Sequence, residues 1–162
     1  MKKILSVLSI LCSLVLLLSA CGGKETVSEG AEAVIDACMN TPNEDLFRFD
    51  AMVAMGADMP EEEKAAALAL QEQLNANLEA LVGRYFSPGS FDAFLNSYLR
   101  TYFFMNPAKT TKVVSMELVT KEAKLEVVDV VVDMDGQEST FTITFRSNDD
   151  GLFYGVEMAE KA

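Results

Sequence analysis

The spacing of apolar residues changes once along this chain, near residue 110. Before that point, apolar residues recur every three to four positions, which is the spacing of one face of an α-helix. After it, apolar and polar residues alternate, as they do in a β-strand with one buried face. The chain therefore predicts an α+β fold, in which N-terminal helices cover one face of an antiparallel sheet.

Four helical segments are predicted ahead of residue 110. Each begins or ends at a residue that favours a helix terminus, such as Thr41-Pro42-Asn43-Glu44, which offers an N-cap, a proline in the first turn and a glutamate three residues on. Gly56, Gly83 and Asn106-Pro107 are stop signals. The predicted segments are residues 27–39, 41–56, 58–83 and 87–107.

Two of these segments carry a continuous apolar face. The long third helix has a leucine stripe made of Leu70, Leu74, Leu78 and Leu81. The fourth has an aromatic face made of Phe91, Phe94, Leu95, Tyr98, Leu99 and Tyr102.

A four-stranded antiparallel meander is predicted after residue 110. Asp135-Gly136 is a strong signal for a two-residue hairpin turn, and Asn148-Asp149-Asp150-Gly151 marks a second turn. The predicted strands are residues 112–120, 124–134, 137–146 and 152–158. Their apolar faces are Val114, Met116 and Leu118; Val128, Val130 and Val132; Phe141, Ile143 and Phe145; and Leu152, Tyr154, Val156 and Met158.

The N-terminus has the three parts of a secretory signal. Lys2 and Lys3 precede an uncharged apolar run, which leads into small residues and Cys21. The run covers residues 4–20 and contains four serines, so it is short for a membrane-spanning helix, for which about 20 apolar residues are needed. Leu18-Ser19-Ala20-Cys21 resembles the lipobox of bacterial lipoproteins. If Cys21 carried no lipid, the alternative would be ordinary secretion, with cleavage of the signal peptide near this residue.

The lipoprotein resemblance implies a domain that is tethered to a membrane from outside the cytoplasm. In that family the chain is cut before the cysteine, whose thiol carries a diacylglyceryl group. Residues 1–20 would be the signal peptide, residues 21–28 the lipidated cysteine and a short tether, and residues 29–162 a single α+β domain. Acyl chains explain stable anchoring, since each buried methylene contributes about 0.8 kcal/mol.

The net charge of the chain limits the kinds of partner that such a domain can bind. Without residues 1–20, the chain has 11 basic and 25 acidic residues and a formal charge of −14. A chain this acidic is a poor ligand for nucleic acids and anionic lipid surfaces, both of which attract lysine and arginine. The membrane is therefore expected to be a partner only through the lipid anchor, and a protein or small-molecule ligand is expected to be the further partner.

The order of elements resembles the nuclear transport factor 2-like and cystatin-like group of folds. In that group, N-terminal helices pack into a curved antiparallel sheet. The match covers most of residues 27–158 and includes a helix that begins near Ala31-Glu32-Ala33-Val34-Ile35. Many small bacterial lipoproteins share this plan of lipobox, short tether, helix and C-terminal meander.

Several classes of catalytic and metal site are excluded by composition. The chain has no histidine, which removes Ser-His and Cys-His nucleophilic systems and histidine-containing zinc sites. Cys38 would be the only thiol left beside a lipidated Cys21, so a Cys-X-X-Cys pair is also excluded, and its helical face with Val34 and Ile35 predicts burial.

Acidic residues near the strand ends have the oxygen chemistry of calcium ligands but lack the spacing of an EF-hand. They are interpreted as turn residues, which use carboxylates and amides to bind their own backbone. These residues are Asp133, Asp135, Asn148, Asp149 and Asp150.

The sulfur atoms of several methionines are soft ligands that could bind a metal ion together. Met52, Met55 and Met59 are spaced by three and four residues, and thioethers suit Cu(I). The structural interpretation is that these side chains fill an apolar face, since methionine adapts to irregular gaps.

Acid–base chemistry is the remaining enzymatic hypothesis. Ketosteroid isomerases resemble this architecture and use an aspartate base with a tyrosine donor. Asp129 interrupts an apolar strand, and Tyr85, Tyr98 and Tyr102 lie on or near helices. A carboxylate inside an apolar cone would have a raised pKa. Alternation along the strand instead places Asp129 on the other face from Val128 and the other inward valines, which is the face toward solvent.

The sequence therefore predicts a lipid-anchored extracytoplasmic binding or envelope-associated module that is not an enzyme and needs no cofactor. Lipidation is assigned to Cys21, and no catalytic or metal-binding residue is assigned. The alternatives are a small-molecule pocket protein with weak acid–base chemistry and a Cu(I)-handling lipoprotein.

Overall fold

The computed structural model describes residues 26–48, 60–104 and 110–161. Helices occupy the N-terminal part of the described chain and strands the C-terminal part. The helices are α1 (Glu29–Met39), α2 (Glu61–Val82), α3 (Ser90–Leu95) and α4 (Tyr98–Phe104), with a 3₁₀ turn at Gly83–Tyr85 after α2. The strands are β1 (Thr111–Glu122), β2 (Leu125–Met134), β3 (Gln137–Ser147) and β4 (Phe153–Glu160).

The four strands form one antiparallel meander in the order β1-β2-β3-β4, which confirms the predicted α+β class and strand topology. The predicted Asp-Gly turn joins β2 to β3. Asp135 and Gly136 both have positive φ angles, of 57° and 88°, as a two-residue hairpin turn of this type requires.

One face of the sheet forms the core together with the helices. Val128, Val130 and Val132 of β2 and the alternate residues Phe141 and Ile143 of β3 are fully buried, as the alternation predicts. From the other side, α1 contributes the fully buried residues Ala31, Val34, Ile35, Cys38 and Met39. Burial of the predicted apolar faces on these two strands and this helix is thus confirmed.

Close approach of α1 to the rest of the fold depends on a glycine. A Cβ atom at Gly30 would lie 2.9 Å from Cδ1 of Tyr85 and 3.1 Å from Cε2 of Phe153. At Gly83, the other helical-region glycine, a Cβ would lie 2.8 Å from Cγ of Glu79, which is a flexible and exposed side chain. Only at Gly30 would the added atom press against packed rings.

The helix predicted over residues 41–56 does not begin at Thr41. The backbone of Thr41 instead pairs with Thr111, with N–H···O distances of 3.0 and 2.9 Å, and its hydroxyl lies 2.8 Å from the Thr111 hydroxyl. Residues 44–46 form a turn. A threonine whose amide and hydroxyl bind a distant strand cannot cap a helix, so this prediction is wrong over residues 41–48. Residues 49–56 lie outside the described residues.

The fourth predicted helix is two helices. Asn96 and Ser97 separate α3 from α4, and the Ser97 Oγ accepts a hydrogen bond from the Arg100 N–H at 3.4 Å. Serine and asparagine favour caps because their side chains bind free backbone groups. The predicted aromatic face is therefore wrong at Tyr98, which is 59 % exposed, whereas Phe91, Phe94 and Leu99 are buried and Leu95 and Tyr102 pack against the core, as predicted.

The apolar face of α2 is rotated from the predicted stripe. Its buried residues are Ala67, Leu74, Leu78 and Val82, and Leu81 is 49 % exposed. Leu74, Leu78 and Val82 follow each other at four-residue spacing, and Leu81 falls outside that row. The helix ends at Val82, before Gly83, as predicted.

Irregular pairing shifts the alternation of both edge strands. The pairing of β1 skips Val114 and Val119, and the pairing of β4 skips Tyr154. All three skipped side chains are about half exposed. The predicted inward faces are therefore wrong at Val114 and Tyr154, whereas Met116, Leu118, Val156 and Met158 pack against the core, as predicted. A β-bulge adds one residue to a strand and moves the following side chains to the other face.

Candidate functional site

The space between helices and sheet is filled by aromatic rings. The ring of Phe141 lies 5.3 Å from that of Phe103 and 5.6 Å from that of Tyr102, and the ring of Phe145 lies 4.9 Å from that of Phe153. Aromatic pairs at such distances pack favourably edge to face. Across the described residues, side chains of the protein itself thus occupy the space between helices and sheet.

The three tyrosines of the acid–base hypothesis do not converge on one site, although the rings of Tyr98 and Tyr102 lie 5.4 Å apart. Tyr85 donates its hydroxyl to Glu29 at 2.7 Å at the surface, and Tyr98 is exposed. Tyr102 packs against Phe141 in the core.

Asp129 lies on the outer face of the sheet, as the alternation predicts. One of its oxygens accepts from the Thr142 hydroxyl at 2.7 Å, and the other pairs with the Lys161 ammonium at 2.5 Å. These two hydrogen bonds hold the pKa of Asp129 below its ordinary value. A general base at neutral pH needs the opposite shift, so the environment of Asp129 gives no support to proton transfer.

Two of the five predicted turn residues, Asp133 and Asn148, bind the backbone of their own turn, as predicted, whereas Asp135 and Asp149 bind partners elsewhere. Asp133 Oδ1 accepts from the Gly136 N–H at 2.6 Å, and Asp135 Oδ1 accepts from the Thr110 N–H at 2.9 Å. Asn148 Oδ1 accepts from two backbone amides of the following turn, at 3.0 and 2.9 Å. Asp149 pairs with Lys124 at 2.7 Å.

Cys38 is fully buried, as predicted from its helical face. Burial raises the pKa of its thiol to about 12, although the nearby positive charge of Arg100 acts in the opposite direction. The thiol is therefore protonated at neutral pH and is a poor nucleophile.

Arg100 is a buried cation that the sequence analysis does not single out. It is 8 % exposed, and it donates to the Leu95 carbonyl at 2.6 Å and to Asn75 Oδ1 at 2.7 Å. Its Nε has no partner among the described residues, and burial lowers its pKa. These bonds tie α2 to the end of α3, which is a structural role.

Glu126 is a second buried charge that the sequence analysis does not single out. One of its oxygens accepts from the Ser28 N–H at 2.7 Å, and the other pairs with Lys121 at 2.7 Å. The signal for it is present in the sequence, since strict alternation along β2 places residue 126 on the same inward face as Val128. Its contacts join the start of α1 to the first hairpin.

Cys21, Met52, Met55 and Met59 lie outside the described residues. Among the described methionines, Met39 is buried in the core, and Met116, Met134 and Met158 pack against it. Among the described residues, no three histidine, cysteine, aspartate or glutamate side chains are placed to hold a metal ion together.

Open grooves lie along the two edges of the sheet. The larger one, of about 640 Å³, runs between α1 and β1 and is lined by Thr26, Val27, Glu32, Asp36 and residues 113–118. We call it the α1–β1 groove. A second groove, of about 440 Å³, runs between α3 and β4 and exposes Tyr98 and Tyr154.

Over the part of the chain that the structure describes, no helix combines the length and apolar character needed to cross a membrane. No protein-family model, curated protein or solved structure matches this chain.

Proposed function

We propose that this chain is a lipid-anchored binding module on the extracytoplasmic face of a membrane, without catalytic activity. The lipobox-like sequence supports the anchor at Cys21. Ser28, the residue before α1, is seven residues later, so the domain lies at most about 25 Å from the anchor along an extended chain. Such a short tether favours a partner that is close to the membrane surface.

The packed interior is the observation that carries the binding role. A ligand site for a small molecule is a concave pocket that buries most of its ligand. Among the described residues, Phe103, Tyr102 and Phe141 fill the space between helices and sheet. Two open grooves lie at the sheet edges, and a third, of about 350 Å³, lies between the start of α1 and the first hairpin. A closed core with open edges favours contact with another macromolecule.

We also propose that the domain belongs among the nuclear transport factor 2-like and cystatin-like folds. The support is the order of helices and strands and the packing of α1 across one face of a four-stranded meander. The filled interior agrees better with a cystatin-like arrangement than with a pocket-forming cone.

The anchor is tested by metabolic labelling with a fatty-acid analogue in a bacterial host. We expect label on the wild-type chain and none on Cys21→Ala, because the acceptor thiol is gone. Cys12→Ala is the matched control, since it removes a cysteine from the predicted signal peptide and should keep the label. Equal labelling of wild type and Cys21→Ala would contradict the anchor.

The location is tested by adding protease to intact cells from which any outer barrier has been removed. We expect digestion of the domain while a cytoplasmic marker stays intact. Protection of both would contradict the extracytoplasmic assignment.

A further inference from the structure

Arg84, Tyr85 and Glu29 show at the surface of this molecule how a tyrosine and a glutamate hold an arginine. The Cζ atom of Arg84 lies 4.7 Å from the centre of the Tyr85 ring, and Arg84 Nη2 pairs with Glu29 Oε1 at 2.9 Å. The Tyr85 hydroxyl donates to the same oxygen at 2.7 Å. A guanidinium group can stack on an aromatic face and pair with a carboxylate at the same time. A tyrosine beside a glutamate therefore has the chemistry to bind an arginine.

A second group of tyrosines with a glutamate lies where α4 meets the end of β4. It consists of Tyr98, Tyr102 and Glu160, and we call it the α4–β4 cluster. The centres of the two tyrosine rings are 5.4 Å apart, and their planes are inclined by 62°. The Tyr102 ring also lies 5.6 Å from that of Phe141, the residue that pairs with Glu160 in the sheet. Because paired residues of neighbouring strands share a face, Glu160 is on the same side of the sheet as Tyr102.

The negative charge of Glu160 acts on the tyrosines. Burial raises the pKa of the Tyr102 hydroxyl above its ordinary value, and the charge of Glu160 raises it further. Tyr98 and Glu160 are exposed, whereas Tyr102 is half-buried. The cluster thus presents an aromatic surface and a carboxylate to a partner.

The α4–β4 cluster lacks the cation that Arg84 supplies to Tyr85. Among the described residues, no lysine or arginine forms an ion pair with Glu160. Lys161, its neighbour in sequence, pairs instead with Asp129 on the outer face of the sheet. A carboxylate beside two aromatic rings is therefore left to bind a positive charge from outside the domain.

We propose that the α4–β4 cluster binds an arginine side chain of another protein. The guanidinium group lies over the Tyr98 ring and pairs with Glu160, as Arg84 does with Tyr85 and Glu29. Arginine fits this surface better than lysine, because its planar group stacks on a ring and is more weakly hydrated than an ammonium group. The proposal rests on the proposed function, in that it names the chemistry by which the binding module recognises its partner.

Charge favours a basic partner protein over a second copy of this chain. The chain has 25 acidic and 13 basic residues, so two copies repel each other. Arg84 and Arg146 are already paired with Glu29 and Glu157 in the same domain. A protein with an unpaired arginine on its surface has the charge that complements Glu160.

The test follows the tyrosines of the full chain, purified in detergent, by ¹⁹F NMR after incorporation of 3-fluorotyrosine. The chain has four tyrosines, and each signal is assigned from a variant with phenylalanine at that position. The probe is an uncharged glycine pentapeptide, blocked at both ends, with arginine at its centre. We expect the signals of Tyr98 and Tyr102 to shift until saturation and that of Tyr85 to stay unchanged, because Arg84 already covers the Tyr85 ring. A titration that shifts no tyrosine signal, or all four alike, would overturn the proposal.

Two further peptides separate the charge of arginine from its shape. Citrulline at the central position keeps the planar group and removes the charge, whereas lysine keeps the charge and removes the planar group. We expect no saturable shift with citrulline and binding at least threefold weaker with lysine. If either peptide binds as well as the arginine peptide, charge or stacking is not recognised and the proposal is overturned.

Two variants with matched controls test the residues of the cluster. Glu160→Gln should weaken binding of the arginine peptide about threefold, as expected for the loss of one exposed ion pair. Its control is Glu61→Gln, which makes the same charge change at the exposed start of α2. Tyr98→Leu should weaken binding similarly, whereas Tyr154→Leu should not, because this exposed tyrosine lies six residues, or about 20 Å, from Glu160 along β4. Equal effects of a variant and its control would contradict the assigned site.

Self-association is measured on the same samples by analytical ultracentrifugation. A dimer that Glu160→Gln dissociates would assign the cluster to a second copy and overturn the proposal. None of these measurements depends on fatty-acid labelling of Cys21, so failure of the arginine proposal is distinguishable from failure of the lipid anchor.

Discussion

The buried thiol of Cys38 makes a specific prediction for the pH dependence of stability. The fold raises its pKa from the ordinary value of 9.0 to about 12, mainly because burial disfavours the thiolate. Between these two values, the unfolded chain loses the thiol proton while the folded chain keeps it. The unfolded state then binds fewer protons, so the free energy of unfolding falls as the pH rises.

The size of this effect follows from the two pKa values. Between pH 8 and pH 10, the thiol should lower the free energy of unfolding by about 1 kcal/mol, since each pH unit above the unfolded pKa has an effect of that order. Below pH 8 its contribution should be close to constant. Lysines and tyrosines also titrate in this range, so the thiol's share requires a variant that lacks it.

The measurement is urea unfolding at pH 8 and pH 10, followed by far-UV circular dichroism because the chain has no tryptophan. The background chain carries Cys12→Ser and Cys21→Ser, so that Cys38 is its only thiol. Cys38→Ala in this background should be less stable at pH 8 through lost packing, by about 1 kcal/mol. At pH 10 that difference should shrink by about 1 kcal/mol, to near zero.

Parallel pH dependences of the two chains would refute the reasoning, because they would mean that the thiol ionises equally in the folded and unfolded states. A thiol reagent gives a second check in the same samples. Cys38 should react far more slowly in buffer than in urea, since burial both blocks access and disfavours the thiolate. Equal rates would show an exposed thiol.

Three further predictions concern packing, buried charge and metal ions. Gly30→Ala should lower the free energy of unfolding by about 1 to 2 kcal/mol, because the clash with two packed rings outweighs the helix propensity of alanine. The matched control, Gly83→Ala, should be neutral or slightly stabilising in the same urea assay. Glu126→Leu should cost about 2 to 3 kcal/mol, since it leaves a backbone amide and a lysine without their acceptor, and an unchanged midpoint would contradict that role. Added Ca²⁺ or Zn²⁺ should leave the Tm unchanged, because only ligands that bind the native state raise it. Cu(I) without oxygen should also leave it unchanged, and a rise that Met52→Leu with Met55→Leu abolishes would favour the copper hypothesis.

The strand half of the fold could be predicted because its signals are local. Alternation in β2 and β3 marks Val128, Val130, Phe141 and Ile143 as inward residues, and all four are fully buried. The Asp-Gly turn between these strands needs only positive φ at two adjacent residues. Each signal is read within a few residues, and neighbouring signals agree.

The helical half was harder to predict because a local signal competed with a distant partner. Thr41-Pro42-Asn43-Glu44 has the composition of a helix start, yet the Thr41 amide and hydroxyl bind Thr111, 70 residues away in sequence. The presence of cap-type residues indicates only that a side chain is able to bind a free backbone group. In this case the partner of Thr41 belongs to β1 and not to a helix. The break between α3 and α4, in contrast, was marked by a local signal, the two cap-type residues Asn96 and Ser97. The regular spacing of aromatic residues on both sides of it outweighed that signal.

The α1–β1 groove depends on strand register, which is the feature that a single sequence specifies least. Its wall is β1, whose register is shifted at Val114 and Val119, and neither valine differs in type from the inward valines of β2. A bulge exists only relative to the strand beside it, so apolar alternation assigned Val114 to the wrong face. The same interruptions confine regular pairing to Ser115 to Leu118 and leave Val114 and Val119 about half exposed.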